Sequence, residues 1–206
     1  MAAALTVPEI VLPSSTGQRK MPVMGLGTAP EATSKVTTKD AVLEAIKQGY
    51  RHFDAAAAYG VEHSVGEAIA EALKLGLISS RDELFVTSKL WVTDNHPHLI
   101  VPALKKSLRT LQLEYLDLIL IHWPITTNPG EVKYPIEVSD IVEFDLKGVW
   151  TSLEECQKLG LTKAIGASNF SIKKLQKLLS FATIPPAVNQ VSNNYYHKLK
   201  LVYHFT

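Results

Sequence analysis

Short, almost wholly apolar runs alternate with amphipathic helical stretches along most of this chain. Runs this short and this rich in Ile, Leu and Val are typical of strands buried on both faces of a parallel sheet. In chain order they are VMGLGT (23–28), FDAA (53–56), LFVTSKL (84–90), LDLILIHW (116–123), TKAIGASN (162–169) and PAVNQV (186–191). Strand followed by helix, repeated about five times, predicts βαβ units with right-handed crossovers.

The helical stretches carry end signals. Thr37 and Thr38 are predicted to cap a first helix that Gly49 ends, and Ser171 is predicted to open the last one. Each helix turns an apolar stripe toward the core. The stripes are Val42, Ala45 and Ile46; Val65, Ile69, Ala72 and Leu73; Leu104, Leu108 and Leu111; Val149, Leu153 and Cys156; and Ile172, Leu175 and Leu179.

Two segments break this alternation. Residues 5–22 hold two short extended pieces around a Ser-Ser-Thr-Gly turn at 14–17, which predicts a hairpin ahead of the first parallel strand. Residues 124–145 form a connection much longer than an ordinary strand-to-helix loop. Because loops of this length in compact domains tend to be functional, this connection is expected to serve the site.

Composition excludes several classes of protein. The chain has 206 residues and a net charge of +1, so no large field favours nucleic acid or an anionic membrane as partner. Cys156 is the single cysteine, which excludes an internal disulfide framework and suits a reducing compartment. The N-terminus lacks a basic n-region, and no apolar run approaches about 18 residues. A cytoplasmic protein is therefore predicted, with neither a secretory signal nor a membrane span.

Charged and amide side chains stand at the C-terminal ends of the predicted strands, where α/β folds place their sites. Apolar strands have no packing reason to finish in such residues. The set is Asp54, Lys89, His122, Ser168, Asn169 and Gln190. Tyr59 follows Asp54 by five residues, in the loop that leaves the same strand.

This set favours proton transfer next to a carbonyl. A free phenol has a pKa of about 10, and an ammonium that stabilises the phenolate lowers it. Asp54, Tyr59 and Lys89 supply the carboxylate, phenol and ammonium of such a relay, and His122 supplies a donor for a carbonyl oxygen that gains negative charge. The hydroxyl and amide groups of Ser168, Asn169 and Gln190, at the ends of the last two predicted strands, suit a flat carboxamide such as that of nicotinamide.

Structural explanations stand beside these functional ones. A lone His122 is usually a satisfied core residue, and Ser168 and Asn169 also suit the cap of the helix that follows. The Asp94, His96 and His98 cluster suggests a metal, but such a loop is more often a solvated helix entrance, so no metal site is predicted. The two tyrosines at 195–196 could be interpreted as a nucleic-acid contact, but a divergent tail is the favoured interpretation.

Long motifs carry a resemblance to a known family. GYRHFDAAAAYGVEHSVG (49–66) and LEECQKLGLTKAIGASNF (153–170) resemble the two signatures of the aldo-keto reductases, with TSKLW and LILIHWP between them. The resemblance runs from about Val7 to Val191. The long connection and the FDLKGVW that follows it look most like the plant polyketide (chalcone) reductases and their alkaloid-pathway relatives. The resemblance implies a (β/α)8 TIM barrel with an N-terminal β-hairpin.

The resemblance also implies roles for particular residues. Tyr59 is the general acid, Lys89 and Asp54 tune it, and His122 orients and polarises the carbonyl of the substrate. The implied cofactor is NADPH, bound across the top of the barrel near Gly27 and Thr28, Asp54 and the carboxamide-binding Ser168, Asn169 and Gln190. The implied substrate-pocket residues are Trp91 and Trp123.

The sequence also departs from the family. A barrel of this kind takes about 250 residues, and this chain offers about six strands. We therefore expect an incomplete barrel over residues 1–191 and a divergent tail over 192–206, lacking counterparts of the family's later cofactor contacts. Open strand edges would favour association or aggregation, whereas a complete barrel is expected to be a monomer.

Three functions stay open at this stage. The first is an NADPH-dependent reductase of a ketone or aldehyde, plausibly a plant polyketide, chalcone-type or alkaloid intermediate. The second is a catalytically incompetent truncated isoform that binds a partner, such as a full-length relative or a polyketide synthase. The third is a product without folded function.

Overall fold

A computed structural model describes residues 7–12, 19–30, 36–130 and 135–191. The predicted N-terminal hairpin is present as the antiparallel strands β1 (Glu9–Leu12) and β2 (Arg19–Pro22). The turn predicted between them, and the tail predicted over 192–206, lie outside the described residues.

The sheet that positions the site is parallel throughout. Its strands are β3 (Leu26–Gly27), β4 (His52–Asp54), β5 (Phe85–Leu90), β6 (Leu116–Ile121), β9 (Thr162–Ser168) and β10 (Asn189–Gln190). Each strand pairs with the next member of this set along the chain. All six predicted strands are thus present, and they follow one another in the order of a (β/α)8 barrel, which has eight.

Within the described residues, five α-helices connect or follow the strands. They are α1 (Thr38–Lys47), α2 (Glu62–Lys74), α3 (Pro97–Leu111), α4 (Leu146–Lys158) and α5 (Ile172–Leu179). The predicted end signals are confirmed for α1 and α5. The side chains of Thr37 and Ser171 accept hydrogen bonds from the backbone N–H groups of Asp40 and Lys174, and Gly49 follows α1 at φ +94°.

The two faces of the sheet are buried against different partners. On the outer face, the stripes of the helices pack on residues such as Val86 and Leu90. On the inner face, Leu12 of the hairpin packs with Phe85 and Leu118. Every residue of β5 and β6 is buried as a result, which is why apolar residues dominate β6.

Parts of two predicted stripes are wrong. In α5, Leu175 is buried as expected, but Ile172 is 48% exposed and Leu179 is 37% exposed, and Leu178 takes an inward place instead. In α2, Leu73 is 38% exposed. The spacing of apolar residues shows which face of a helix is apolar. It does not show how much of that face a neighbouring element covers.

The long connection has more structure than its sequence indicated. Strands β7 (Thr126–Thr127) and β8 (Ile141–Val142) pair antiparallel across it, and a 3-10 turn (Val138–Asp140) leads into β8. Among the described residues, no helix is both long enough and apolar enough to cross a membrane.

Candidate active site

Alternation along β5 aims Lys89 at the concave face of the sheet. Phe85, Thr87 and Lys89 point inward, whereas Val86 and Ser88 point outward toward the helices, as period-two geometry requires. The Lys89 side chain is only 1% exposed. An ammonium buried so deeply needs a partner of opposite charge close by.

Asp54 is that partner. The Lys89 Nζ atom donates to Asp54 Oδ2 at 2.6 Å and to the backbone carbonyl of Ala55 at 3.1 Å. It also lies 3.5 Å from the phenolic oxygen of Tyr59. The carboxylate, ammonium and phenol expected to act together are therefore brought together.

A short turn presents Tyr59 to this pair. Ala57–Tyr59 form a single 3-10 turn directly after β4, and Gly60 closes it at φ +69°, a left-handed conformation that suits glycine. The backbone N–H of Tyr59 donates to the carbonyl of Ala56 at 3.0 Å. The five-residue spacing between Asp54 and Tyr59 is the length that this turn requires.

His122 completes the group. It follows β6 on the inner face, and its ring lies edge-on to those of Tyr59 and Trp91, with centroids 5.6 Å and 5.3 Å away. Burial first, and the positive charge of Lys89 second, lower the pKa of His122 to about 4. A neutral imidazole results at ordinary pH, and its Nδ1 atom is buried without a hydrogen-bond partner among the described residues.

The amide and hydroxyl groups stand at the ends of β9 and β10. Asn169 has a positive φ of 60°, which carries its side chain back over the sheet, where Nδ2 donates to the carbonyl of His122 at 3.0 Å and to Ser168 Oγ at 3.1 Å. Ser168 is buried, and it pairs in register with Gln190, which is exposed. The structure places all three at the same rim as His122.

Gly27 and Thr28 lie at the end of β3, on the side of Asp54 away from Lys89. Gly27 pairs with Asp54 in register, and the space beside its α-carbon is open. Both the backbone N–H and the hydroxyl of Thr28 donate to the backbone carbonyl of Asp54, at 3.0 and 3.1 Å. Asp54 Oδ1 is buried and has no hydrogen-bond partner within the described ranges.

Two tryptophans flank the histidine. Trp91 is half-buried against the edge of the His122 ring, and Trp123 is 42% exposed with its ring stacked beside it. Both tryptophan rings therefore lie against the imidazole. This position is compatible with the expected contact to substrate, and that role stays a prediction.

Sequence reasoning missed two buried polar residues that support the site. Asn95 is 1% exposed, and its Nδ2 donates to the carbonyls of Trp123 and Ile125, at 3.1 and 2.7 Å, which fixes the start of the long connection. Glu62 accepts a hydrogen bond from Ser88 behind Lys89. Asn95 stands inside the Asp-Asn-His-Pro-His stretch, where His96 contacts the carbonyl of Thr127 at 2.8 Å.

Comparison with known proteins places this site in a family. The sequence profile of the Aldo/keto reductase family matches residues 23–202. That range covers most of the chain and contains the Asp54, Tyr59, Lys89 and His122 group. The chain belongs to the aldo/keto reductase family.

Plant enzymes are among its most similar relatives. The chain is 66% identical over 194 residues to NAD(P)H-dependent 6'-deoxychalcone synthase from Glycine max, covering 94% of this chain and 61% of that protein. It is 56% identical over 174 residues to deoxymugineic acid synthase 1-D from Triticum aestivum, covering 84% and 55%. A Melia azedarach relative, 7-acetyl-epi-neemfruitin B aldo-keto reductase, is 56% identical over 194 residues, covering 94% and 59%. The chain thus spans less than two thirds of the length of these relatives.

Solved structures agree on the fold. An aldo-keto reductase from Bombyx mori in complex with NADP superimposes with a TM-score of 0.81 at 38% identity, covering 92% of this chain and 59% of that one. The aldose reductase from Schistosoma japonicum gives a TM-score of 0.80 at 34% identity, covering 89% and 60%. The predicted fold, a (β/α)8 barrel of aldo-keto reductase type that is incomplete here, is confirmed, as is the resemblance to plant members.

Proposed function

We propose that this chain carries the proton-transfer and nicotinamide-binding groups of an NADPH-dependent carbonyl reductase. The observation that carries the proposal is the contact between the Asp54–Lys89 ion pair and the phenol of Tyr59, with a neutral His122 beside it. Family membership and the names of relatives that use NAD(P)H or hold NADP support it.

The residues present fit a nicotinamide nucleotide. The buried, unpartnered Asp54 Oδ1 is an acceptor for a ribose hydroxyl, and the open space beside Gly27 and Thr28 lets a ligand approach the strand end. Ser168 and Asn169, with Gln190 beyond them, offer polar groups to a carboxamide. We assign these six residues as the cofactor-binding set. When bound, NADPH supplies the hydride.

The chain's own groups would supply the proton and orient the substrate. Tyr59 donates its phenolic proton to the carbonyl oxygen as negative charge develops there. Lys89 stabilises the phenolate that remains, and Asp54 holds the ammonium in place and balances its charge. His122, being neutral, donates a hydrogen bond to the same oxygen and so fixes the carbonyl within reach of Tyr59.

The substrate we propose is a ketone or aldehyde of the polyketide, chalcone or alkaloid type, held between Trp91 and Trp123. The names of the soybean and Melia relatives favour a bulky plant metabolite, and two aromatic walls suit one. A polyketide synthase that supplies the substrate is the protein partner we propose, and the cytoplasm is the proposed location.

The test is NADPH oxidation by the purified chain with an aromatic ketone and an aldehyde, comparing Tyr59→Phe with Tyr115→Phe. Tyr115 bonds Asp82 at the other end of the sheet, so its variant is the matched control. We expect Tyr59→Phe to lose at least about 100-fold in kcat with NADPH affinity kept, because general-acid catalysis contributes that much. Retained turnover in Tyr59→Phe would refute the role of Tyr59 as acid, and no turnover in the unaltered chain would refute the activity.

A further inference from the structure

Packing alone does not fix the turn that carries Tyr59. None of Ala57–Tyr59 is buried, and two short-range hydrogen bonds hold the turn internally: Tyr59 N–H to Ala56, and Gly60 N–H to Ala57 at 3.3 Å. A cavity of about 190 Å³ lies behind the turn, lined in part by Ala57 and Gly60. On the N-terminal side, the fully buried Ala55 donates its N–H to the Thr87 carbonyl of β5 at 2.8 Å, so the turn is anchored there, and its other end is anchored only if a later residue supplies a contact.

Glu62 is the first buried residue after Tyr59. It begins α2, is 7% exposed, and lines the same cavity. Its Oε1 atom accepts a hydrogen bond from Ser88 Oγ at 2.6 Å, and Ser107 of α3 is a second hydrogen-bonding partner. The carboxyl group thus links α2 to both the outer face of β5 and the neighbouring helix.

Ser88 is the residue immediately before Lys89 and is fully buried. Because side chains alternate along β5, Ser88 reaches outward to Glu62 while Lys89 reaches inward to Asp54 and Tyr59. Glu62 lies three residues after Tyr59, and Ser88 lies one residue before Lys89. The Glu62–Ser88 hydrogen bond therefore connects the segment that carries the phenol to the strand that carries the ammonium.

We propose that Glu62 is a positioning residue, whose hydrogen bond to Ser88 fixes the Tyr59 turn against β5 and so holds the phenol beside the Lys89 ammonium. The inference rests on the proposed role of Tyr59 as the acid. Its consequence for turnover is large, because a shift of about 1 Å at a reacting group can cost on the order of 100-fold in rate.

Three variants test this. Glu62→Ala removes the acceptor, Glu62→Gln keeps an acceptor oxygen at the same place, and Glu67→Ala is the control on the same helix, where Glu67 makes a surface pair with His63. The amide of glutamine has the size and shape of the carboxyl group and keeps an acceptor oxygen, so Glu62→Gln is a conservative replacement. The measurements are kcat and KM, NADPH affinity by fluorescence titration, and amide hydrogen exchange of the segment 56–61.

For Glu62→Ala we expect kcat, normalised to the concentration of titrated NADPH sites, to fall at least tenfold. The affinity for NADPH should change less than about threefold. Amide hydrogen exchange over residues 56–61 should become faster. Glu62→Gln should restore most of kcat, and Glu67→Ala should resemble the unaltered chain. A Glu62→Ala protein with unchanged exchange over 56–61, or with kcat within twofold of the parent, would overturn the proposal.

Two further outcomes are separable. If the unaltered chain shows no turnover, the reductase function fails, and the exchange of segment 56–61 alone decides whether Glu62 holds the turn. If Glu62→Ala does not fold, Ser88→Ala removes the same hydrogen bond and decides in its place. Raised exchange in Ser88→Ala supports the proposal, and unchanged exchange overturns it.

Discussion

At the scale of single residues, the site consists of charged groups kept at low exposure by mutual contact. The Lys89 side chain is 1% exposed, and its ammonium donates to Asp54 and to the Ala55 carbonyl. Among the described residues His122 forms no ion pair, and burial first and the Lys89 ammonium second lower its pKa to about 4. An uncharged imidazole therefore lies beside a buried ion pair.

The neutral His122 predicts a pH dependence of stability. Its pKa is about 4 in the folded chain against about 6.5 when unfolded, so the free energy of unfolding has its full value above about pH 6.5. It falls as pH drops toward 4, because the unfolded chain binds the proton first. From pH 7.5 to pH 5 the loss due to His122 is about 2 kcal/mol.

Denaturant unfolding of the unaltered chain and of His122→Gln at the two pH values measures this loss. The variant should lose about 2 kcal/mol less than the parent over that interval. His52, whose pKa burial also lowers, is present in both proteins and so cancels in the comparison. Equal losses in the two proteins would contradict a buried, neutral His122.

Residue-scale prediction from the sequence succeeded where a polar group has no packing reason to end an apolar strand. Lys89 and His122 stood out for that reason, and the structure brings both to Tyr59. Glu62 was missed because an acidic residue in the first turn of a helix already has an ordinary explanation, its interaction with the helix dipole. Only the fold shows that its carboxyl is buried against Ser88.

At the scale of elements, α2 and α3 approach each other closely at one glycine. An added Cβ at Gly66 would overlap the backbone carbonyl of Leu111, at the end of α3. That contact sets how closely α2 packs against the end of α3. Alanine favours a helix over glycine by about 1 kcal/mol, but backbone overlap costs about 1–3 kcal/mol and cannot relax through a side chain.

We therefore expect Gly66→Ala to lower the free energy of unfolding by up to about 2 kcal/mol, because the backbone overlap outweighs the gain in helix propensity. Urea denaturation in the absence of nucleotide is the measurement. Gly27→Ala is the matched control, since an added Cβ there meets no atom within 4 Å, and it should change stability by less than about 0.5 kcal/mol. A stabilised Gly66→Ala protein would show that the two helices lie farther apart than described.

The ends of helices could be predicted from the sequence where a local interaction determines them. Thr37 and Ser171 cap helices through their own side chains, and such caps depend on neighbours three residues away. Burial along α5 did not follow, since Ile172 and Leu179 are exposed. An apolar stripe reports a tendency to be covered, whereas coverage depends on elements distant in sequence. The pairing of β7 with β8 is long-range in the same sense.

At the scale of the whole molecule, six parallel strands in barrel order bring the candidate site residues to one rim. Asp54, Lys89 and His122 come from three neighbouring strands of the middle of this sheet, whose faces are covered by helices outside and by the hairpin inside. Ser168 and Gln190 come from its far side, where β10 is the last described strand. The cofactor-binding set that we propose is therefore spread across the sheet, and its geometry depends on the sheet as a whole.

The most direct test of the account is thermal unfolding of the purified chain alone, with NADPH, and with NADH. We predict one cooperative transition whose midpoint NADPH raises, with NADH as the comparison, since a ligand of the folded state at about 100 times its Kd adds about 2.7 kcal/mol. Asp54→Asn should reduce the NADPH shift if Asp54 Oδ1 accepts from the ribose as proposed above, because the substitution alters that acceptor. A cooperative transition that neither nucleotide moves, or no transition at all, would contradict a folded cofactor site.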